Sequence, residues 1–291
     1  MTTYAIILAA GESARFGIGR DKMFETILGK SVLERSLDVF VRHPEISRIV
    51  LVTSHASFDR VSQLIESLFS NVRSRIRVIE GGKTRAESSF FGLLEASAWE
   101  TVLPLATSRC PHNINIEKLH PHIEKPEDCT QQCQKGNDAQ GDNAYKNKSS
   151  SDDKERVCAL LHDAARCLVT PALISSVVAY INYARCGVAP YIPVRDTIRL
   201  LDEPDGSFIV DTLPRNRLGA MQTPQGADLD IMLEASRVAQ SQQVSLTDDV
   251  EALRLVGYPV RLIPGELHNV KMTYPEDMAL AEHIILQRRN Y

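Results

Sequence analysis

The sequence predicts an α/β fold in which helices cover both faces of a mainly parallel sheet. Short apolar runs of strand length recur along the chain, and segments with helical spacing separate them. Parallel strands need crossover connections, so this alternation is typical of a parallel sheet. Hydrophobic residues make up 43% of the 291 residues, which is enough for a sizeable core. We therefore expect a single domain over residues 1–291.

The elements of this fold follow one another along the chain. Strands are predicted at residues 4–8, 48–53, 75–79, 157–161 and 188–192. Helices are predicted after a cap at Ser31 and at residues 58–68, 84–99 and 171–184.

Residues 100–156 interrupt the alternation because they are polar and rich in Asn, Gln, Lys, Asp and Ser. This composition predicts a disordered insertion. The segment precedes the strand that leads to Asp163, so we expect it to leave the sheet at its amino edge, away from an active site. It contains candidate zinc ligands: Cys110, His112, His120, His122, Cys129 and Cys133. Their spacings fit no standard zinc finger, so a loop is preferred over a zinc site.

A second interruption covers residues 195–222. Strand-like pieces at residues 198–200 and 208–210 flank Pro204, Asp205 and Gly206, a turn signal. This pattern predicts a β-hairpin arm that protrudes from the sheet.

Composition and charge exclude several function classes. The 33 basic and 37 acidic residues leave a net charge of −4, which gives no overall basic field for binding nucleic acid. No apolar run reaches the roughly 18 residues of a membrane span. The N-terminal residues resemble a first strand and lack the basic region of a signal peptide. We expect a cytoplasmic protein with no membrane or nucleic-acid partner and with its six cysteines reduced.

The first candidate motif follows the first strand, over residues 8–15. Its small residues would let backbone amides approach a triphosphate, and Arg15 and Lys22 would add positive charge. The segment is neither a P-loop nor a dinucleotide fingerprint. By itself it is equally compatible with an ordinary strand-to-helix turn.

A second motif follows the third strand, over residues 81–88. The paired glycines Gly81 and Gly82 could accommodate a planar base against the backbone, and Ser88 could hydrogen-bond it. A turn that begins a helix explains the same residues.

Two further motifs carry charged groups. Asp163 follows the strand at 157–161, where a carboxylate beside a phosphate loop is a natural Mg²⁺ ligand; a helix cap is the alternative. Arg166 next to it could form a structural salt bridge. Near the C-terminus, Thr247 by itself favours a helix N-cap, and Lys271 a solvated surface position.

The order and spacing of these motifs resemble the 2-C-methyl-D-erythritol 4-phosphate cytidylyltransferase family of the non-mevalonate isoprenoid pathway. The resemblance covers nearly the whole chain except the insertion. The matching runs are residues 8–15 with Lys22, 81–88 with Gly92 and Leu93, 162–166, 193–197, 223–225, 247–249, and 269–273 followed by 275–277.

The resemblance implies a three-layer, nucleotidyltransferase-type (Rossmann-like) fold and a homodimer formed through the arm. Its implied catalytic residues are Arg15, Lys22, Lys271 and Arg215, and its implied metal ligand is Asp163. Its implied nucleotide contacts are Ala9, Ala10, Gly11, Gly82, Ser88 and Ala164. Its implied acceptor contacts are Arg166, Thr197, Arg215, Thr223, Thr247 and Lys271, of which Thr197 and Arg215 would reach the other subunit's substrate.

The implied activity is that of a Mg²⁺-dependent enzyme, with other divalent cations as alternatives. CMP would pass from CTP to the polyol phosphate 2-C-methyl-D-erythritol 4-phosphate, with release of pyrophosphate. The acceptor phosphate is already an anion, so catalysis would rest on positioning and electrostatic stabilisation.

Some residues depart from the family pattern. Ser13 replaces a usual glycine, Asp21 a proline and Met23 a glutamine, and Lys83 stands where an acidic residue is common. Asp21 would weaken CTP binding unless its carboxylate turns away. The alternatives are a ribitol 5-phosphate cytidylyltransferase, a transferase that uses another base, and a catalytically silent nucleotide-binding relative.

Overall fold

The computed structural model describes residues 2–11, 15–17, 21–101, 156–203 and 206–289. Within those ranges, no helix combines the length and the apolar character needed to cross a membrane.

The described chain forms the three-layer α/β fold that was predicted from the sequence. Its main sheet has eight strands. The strands of this sheet are β1 Thr2–Ala9, β4 Arg48–Thr53, β5 Ile76–Glu80, β6 Val157–Asp163, β7 Gly187–Pro193, β10 Gly219–Met221, β11 Gln225–Asp228 and β12 Val260–Pro264. The central path runs β10-β7-β11-β6-β1-β4-β5, and β12 pairs with β7. The pairs β1–β4, β1–β6, β4–β5 and β7–β12 are parallel, whereas β11 and β10 are antiparallel to their neighbours. A small ladder joins β2 Thr26–Ile27 to β3 Lys30–Ser31.

Helices cover both faces of the sheet. One face carries α1 Val32–Arg42, α2 Phe58–Leu68, α4 Pro171–Ala184 and α7 Glu276–Arg289. The other face carries α3 Arg85–Thr101, α5 Leu229–Ser241 and α6 Asp249–Leu255.

Strand β1 shows why its sequence is continuously apolar. Ala5 and Ile7 point into the core below α1 and α4, whereas Tyr4 and Ile6 point into the core below α3 and α5. All of these side chains are fully buried, because successive residues of a strand face opposite sides of the sheet. Burying one large apolar side chain of this kind contributes roughly 1.5–3 kcal/mol. The two cores thereby fix β1 at the centre of the sheet, and with it the loop that follows.

The N-cap of α1 agrees with the sequence prediction, whereas the N-cap of α6 does not. The Ser31 hydroxyl accepts from the backbone N–H of Glu34, so the cap predicted for α1 is confirmed. At α6 the prediction that Thr247 is the cap is wrong: Asp248 accepts from the N–H of Glu251. Thr247 lies one residue earlier, and its hydroxyl donates to the Glu251 carboxylate.

The fourth predicted strand is longer than its apolar run. Strand β6 continues through His162 and Asp163, because these residues still pair with Ile7 and Leu8 of β1. Asp163 is therefore the last residue of a strand, held by the sheet rather than by a loop.

The arm contains the antiparallel strands β8 Arg199–Leu201 and β9 Ile209–Thr212. Of the predicted turn, Gly206 has a positive φ of 66°, whereas Pro204 and Asp205 lie outside the described residues. The arm exposes large apolar side chains: Phe208 is 73% exposed, Ile209 64% and Val210 61%.

The described chain stops at Thr101 and resumes at Arg156, at the amino edge of the sheet. Near the end of α3, the Trp99 ring lies 6.1 Å from that of Tyr4 at the start of β1. The predicted insertion, with its Cys110, Cys129 and Cys133 and its histidines, lies outside the described residues. Cys158, Cys167 and Cys186 are buried free thiols.

Candidate active site

A cavity of about 730 Å³ opens at the carboxyl ends of β1, β5 and β6. In an open α/β sheet, ligands bind beyond these strand ends. Its charged lining residues are Lys22, Lys83, Arg85 and Lys271, together with Asp163 and Glu87. Cations dominate the lining, so the cavity suits an anionic ligand.

The loop after β1 forms one wall of this cavity. Ala9, Ala10 and Gly11 line it, whereas residues 12–14 lie outside the described ranges. The exposed Arg15 guanidinium lies 6.0 Å from the centre of the Tyr274 ring. Tyr274 lines a neighbouring cavity described below, so Arg15 lies near that cavity, although it is not among the lining residues of either one.

Lys22 enters the cavity from a short 3₁₀ turn, Lys22–Phe24. Asp21 caps this turn: one carboxylate oxygen accepts from the N–H of Met23 at 3.0 Å, and the other from the Ser57 hydroxyl at 2.8 Å. The Asp21 carboxylate is therefore engaged by the protein. Burial, followed by the charge of Lys271, lowers the pKa of Lys22 below its ordinary value.

The loop after β5 folds back on itself through Ser88. The Ser88 hydroxyl accepts from the Gly82 N–H at 3.1 Å and donates to the Thr84 carbonyl at 2.9 Å. A Cβ at Gly82 would stand 2.3 Å from Cβ of Glu87, so the loop requires glycine there. The Glu87 carboxylate also accepts from the Lys83 N–H at 2.6 Å. Gly82 and Ser88 both line the cavity, and these bonds rigidify the wall they form.

Asp163 lies between two cations. Its Oδ2 is 2.7 Å from Lys271 Nζ, and its Oδ1 accepts from Arg85 Nε and Nη2, each at 3.2 Å. Burial would raise the pKa of this carboxyl, but Arg85 and Lys271 hold the pKa of Asp163 well below its usual range. Asp163 is therefore ionised at neutral pH.

Arg85 in turn belongs to a buried ion cluster. Its Nη1 and Nη2 donate to the two oxygens of Asp249, at 3.0 and 2.6 Å. The Asp249 side chain is 4% exposed and also accepts from the Ser89 hydroxyl at 2.6 Å. Gln225 Oε1 accepts from the Asp249 N–H, which ties α6 to β11. Burial alone would lower the pKa of Arg85, but Asp249 and Asp163 raise it, so this guanidinium is permanently charged.

A second cavity of about 360 Å³ adjoins the first and shares Lys271 with it. Arg166 lines it; its guanidinium donates to the carbonyls of Asn269 at 2.8 Å and Met221 at 3.1 Å. Burial lowers the pKa of Arg166 from its ordinary value, despite the nearby Asp163. Thr273 and Tyr274 complete a wall that offers both polar and aromatic surface.

The structure does not bring every predicted site residue into these cavities. Ala164 is fully buried, and Ala165 beside it lines the large cavity. Thr223 is 3% exposed and bonds only to neighbouring protein groups in the described chain. Thr247 is exposed and bonded to Glu251. Thr197 and Arg215 are exposed on the arm, where Arg215 donates to the Arg195 carbonyl at 2.8 Å.

The donor set is compatible with Mg²⁺ but not with a cage made of protein ligands. Within the described ranges, no three His, Cys, Asp or Glu side chains come together as a metal site. Mg²⁺ is usually held by one or two carboxylates together with substrate phosphates. Asp163 supplies one ionised carboxylate at the cavity wall, which fits that pattern.

Sequence reasoning missed the ion cluster and one histidine. Arg85 and Asp249 are 164 positions apart, and no spacing rule links them. The signal available was the position of each beside a motif: Arg85 in the glycine loop and Asp249 next to Asp248. His162 precedes the candidate metal ligand and is fully buried beneath it.

The sheet, its flanking helices and the cation-lined cavity define an α/β protein of the nucleotidyltransferase type. Solved structures share this fold. One is 4-diphosphocytidyl-2C-methyl-D-erythritol synthase from Anaerococcus prevotii DSM 20548, with a TM-score of 0.65 and 20% identity, covering 98% of this chain and 96% of that one. Another is 2-C-methyl-D-erythritol 4-phosphate cytidylyltransferase from Thermus thermophilus, with a TM-score of 0.63 and 23% identity, covering 98% of each chain.

Sequence comparison identifies the family. The family described as "IspD: 2-C-methyl-D-erythritol 4-phosphate cytidylyltransferase" matches residues 3–132 and 135–287. A relative of that name from Trichodesmium erythraeum is 31% identical over 97% of this chain and 98% of its own length. Another from Microcystis aeruginosa is 30% identical over 98% of this chain and 99% of its own. The chain belongs to the 2-C-methyl-D-erythritol 4-phosphate cytidylyltransferase family, a family of enzymes, which confirms the resemblance inferred from the motifs.

Proposed function

We propose that this protein transfers CMP from CTP to 2-C-methyl-D-erythritol 4-phosphate, giving 4-diphosphocytidyl-2-C-methyl-D-erythritol and pyrophosphate. The observation that carries the proposal is the meeting of Lys22, Lys271 and Asp163 in one cavity, beside a rigid glycine loop. Family membership supports the choice of nucleotide and acceptor. The product belongs to isoprenoid precursor biosynthesis, which we expect to be cytoplasmic.

The two cavities suggest how the substrates are arranged. The triphosphate would lie in the large cavity, against the backbone of Ala9, Ala10 and Gly11, with its base against Gly82. The acceptor would lie in the smaller cavity, lined by Arg166. Lys271 lines both cavities, so it stands where the acceptor phosphate would meet the α-phosphorus.

The reaction is then an in-line displacement at the α-phosphorus. An oxygen of the acceptor phosphate forms the new P–O bond, and the bond to the pyrophosphate oxygen breaks. The nucleophile is an anion near neutral pH, so no general base is needed. Lys22, Arg15 and Lys271 would stabilise the charge that develops on the phosphoryl oxygens and the leaving group. The protein's contribution is positioning and preorganised positive charge.

Mg²⁺, or another divalent cation, would be held by Asp163 and by phosphate oxygens, and it would supply charge neutralisation for the leaving pyrophosphate. Asp163 is paired with Lys271 by a 2.7 Å contact. Because the Lys271 side chain is 39% exposed and long, it can turn from this carboxylate to an incoming phosphate.

The arm would complete the acceptor site in a homodimer. Phe208, Ile209 and Val210 expose large apolar surfaces on a narrow hairpin, which favours burial against another subunit. Thr197 and Arg215 lie on the same segment, where both are exposed and neither lines a cavity of its own chain in the part that the structure describes. We propose that they contact the acceptor bound to the other subunit.

The proposal is tested by pyrophosphate release with CTP and Mg²⁺, comparing methylerythritol 4-phosphate with ribitol 5-phosphate. Release with the first acceptor alone is expected. Release with ribitol 5-phosphate alone would overturn the acceptor but keep the mechanism. Parallel assays with ATP, GTP and UTP test the exposed Lys83, whose charge departs from the usual residue, as a determinant of the base. Nucleotide binding without turnover under any pairing would identify a silent relative.

A further inference from the structure

His162 is a buried, hydrogen-bonded histidine that the reaction described above does not use. It is fully buried at the end of β6, and its ring packs 4.8 Å from that of Phe40. The hydrogen-bond partners of its ring in the described chain are a carbonyl and a hydroxyl, with no carboxylate among them, so this buried imidazole is neutral and carries one ring proton.

The partners of the two ring nitrogens decide where that proton lies. Nε2 is 3.3 Å from the carbonyl oxygen of Arg166, which can only accept a hydrogen bond. Nε2 must therefore carry the proton, and Nδ1 presents its lone pair. Nδ1 lies 3.0 Å from the Thr223 hydroxyl, which consequently donates to it.

The Thr223 hydroxyl continues this chain of hydrogen bonds. Its oxygen accepts from the backbone N–H of Asp163 at 3.1 Å. The backbone ladder between β6 and β11 ends at the pair Leu161–Gln225, so this hydroxyl takes over pairing where the ladder stops. A polar path thus runs from the Asp163 amide through Thr223 and His162 to the Arg166 carbonyl.

The turn at residues 163–166 is hydrogen-bonded to both of the segments that line the cavity beside it, the loop after β1 and the segment that carries Lys271. The Ala164 N–H donates to the Leu8 carbonyl at 3.0 Å, at the start of the triphosphate loop. The Ala165 carbonyl accepts from the Met272 N–H at 2.8 Å, next to Lys271. Displacing either end of this turn would move Asp163, Lys271 and Arg166 relative to one another.

We propose that His162 is a positioning residue, which as the Nε2–H tautomer fixes both ends of the turn at residues 163–166 through Thr223 and the Arg166 carbonyl. This inference rests on the proposed cytidylyltransferase function. It assigns Thr223 an indirect role in place of the predicted substrate contact. Loss of such an outer partner typically lowers activity by roughly 10- to 100-fold.

The test compares His162→Phe with a matched control, His43→Phe. Phenylalanine keeps a ring against Phe40 and removes both hydrogen bonds. His43 is 4% exposed, and its Nε2 lies 3.1 Å from both the Pro171 carbonyl and the Ser175 hydroxyl, so its replacement removes a similar set of bonds outside the site. Both variants should lose stability in urea. Only His162→Phe should lower kcat, by roughly 10- to 100-fold, with a far smaller change in the KM for CTP, since residues 81–88 are untouched.

A double-mutant cycle with Thr223→Val distinguishes this hydrogen-bonded path, called the relay below, from simple packing around His162. If the relay exists, His162→Phe and Thr223→Val break the same path, and the double variant should have a kcat close to that of the worse single variant. Effects on kcat that multiply would overturn the proposal, as would a His162→Phe variant that loses stability but keeps wild-type kcat. If His162→Phe does not fold, His162→Gln takes its place in the same cycle, because its amide can still donate to the Arg166 carbonyl but leaves Thr223 without its acceptor.

A spectroscopic measurement is independent of the assigned reaction. ¹⁵N NMR of histidine-labelled full-length protein at neutral pH distinguishes a protonated from an unprotonated ring nitrogen. We expect His162 to show a proton on Nε2 and a bare Nδ1, whose shift changes in Thr223→Val. A proton on Nδ1 would refute the relay whether or not the wild type releases pyrophosphate. Failure of the wild type to release pyrophosphate would instead refute the proposed function.

Discussion

Replacing Arg85 with methionine should destabilise the protein by about 3 kcal/mol, the lower end of the range for breaking a buried ion pair. The reason lies in Asp249, whose side chain is 4% exposed. Without Arg85, this buried carboxylate keeps the Ser89 hydroxyl at 2.6 Å but has no countercharge from that residue. The Arg85 side chain is itself 30% exposed, so water can replace part of what is lost.

A matched variant controls for the loss of any arginine ion pair. Arg73 pairs with Glu66 at 2.6 Å, but Glu66 is 62% exposed and can be rehydrated when its partner is removed. Arg73→Met should therefore cost about 1 kcal/mol or less. Urea unfolding of both variants measures the difference directly.

A second substitution tests the cause rather than the size of the effect. Adding Asp249→Asn to Arg85→Met removes the uncompensated charge, so the double variant should be more stable than Arg85→Met alone. Pyrophosphate release should fall roughly 10- to 100-fold in Arg85→Met, because Asp163 loses the partner of its Oδ1. The buried-charge argument would be refuted if Arg85→Met had the same urea midpoint as the wild type, or if the double variant were no more stable than Arg85→Met.

The remaining predictions concern the lysine turn, the arm and acid stability. Lys22→Ala should lower kcat roughly 10²- to 10³-fold, the scale of losing one stabilising donor, and a near-normal kcat would remove its catalytic role. Asp21→Ala should cost about 1 kcal/mol in urea unfolding through loss of a cap, whereas Asp21→Asn, which keeps an acceptor, should cost less; equal losses would contradict capping. Phe208→Ser should yield monomers by light scattering, whereas Tyr183→Ser, at a still more exposed aromatic outside the arm, should not. Because Asp163 has a depressed folded-state pKa, its ion pairs stabilise fully above the unfolded-state pKa of about 4 and are lost as the pH falls through the folded value; Asp163→Asn should flatten the decline of unfolding free energy on acidification.

The fold could be predicted because its information is local. Strand β1 is buried on both faces, so its residues form an unbroken apolar run that spacing alone reveals. The cap of α1 could be predicted for the same reason: Ser31 satisfies an orphan amide only three residues away. The arm was signalled by a turn sequence between two strand-like pieces.

The capping error at α6 shows where local information stops. Thr247 and Asp248 are adjacent and both are good N-cap types, so the sequence alone does not choose between them. The choice is made by Gln225, which comes from a different strand. Its amide oxygen accepts from the N–H groups of Asp249 and Val250, and its amide nitrogen donates to Asp248. Tertiary contacts thus set the first residue of the helix.

The sequence predicted some members of the candidate site but not the hydrogen bonds that hold them. Motif order predicted that Lys22, Asp163 and Lys271 belong to one site, and the structure brings them into one cavity, although only Asp163 ends a strand. That Arg85 would bind two carboxylates, and that Thr223 would serve a backbone amide, depends on chain segments far apart in sequence. Asp21 departs from the family pattern, and the direction of its carboxylate is likewise set by a distant residue, Ser57, whose hydroxyl donates to it.

The ion pairs of the large cavity explain how its positive charges can be stable without nucleotide and still bind a nucleotide. Lys271 and Arg85 share the single carboxylate of Asp163, which limits their mutual repulsion. Arg85 is further held by the buried Asp249, so it stays in place as structure. Lys271 has no such second anchor among the described carboxylates, and its side chain, 39% exposed against 30% for Arg85, is the one that can exchange Asp163 for phosphate. The two roles follow from the number of partners: Arg85, with two carboxylates, holds Asp163 in position, and Lys271, with one, is available to the substrate.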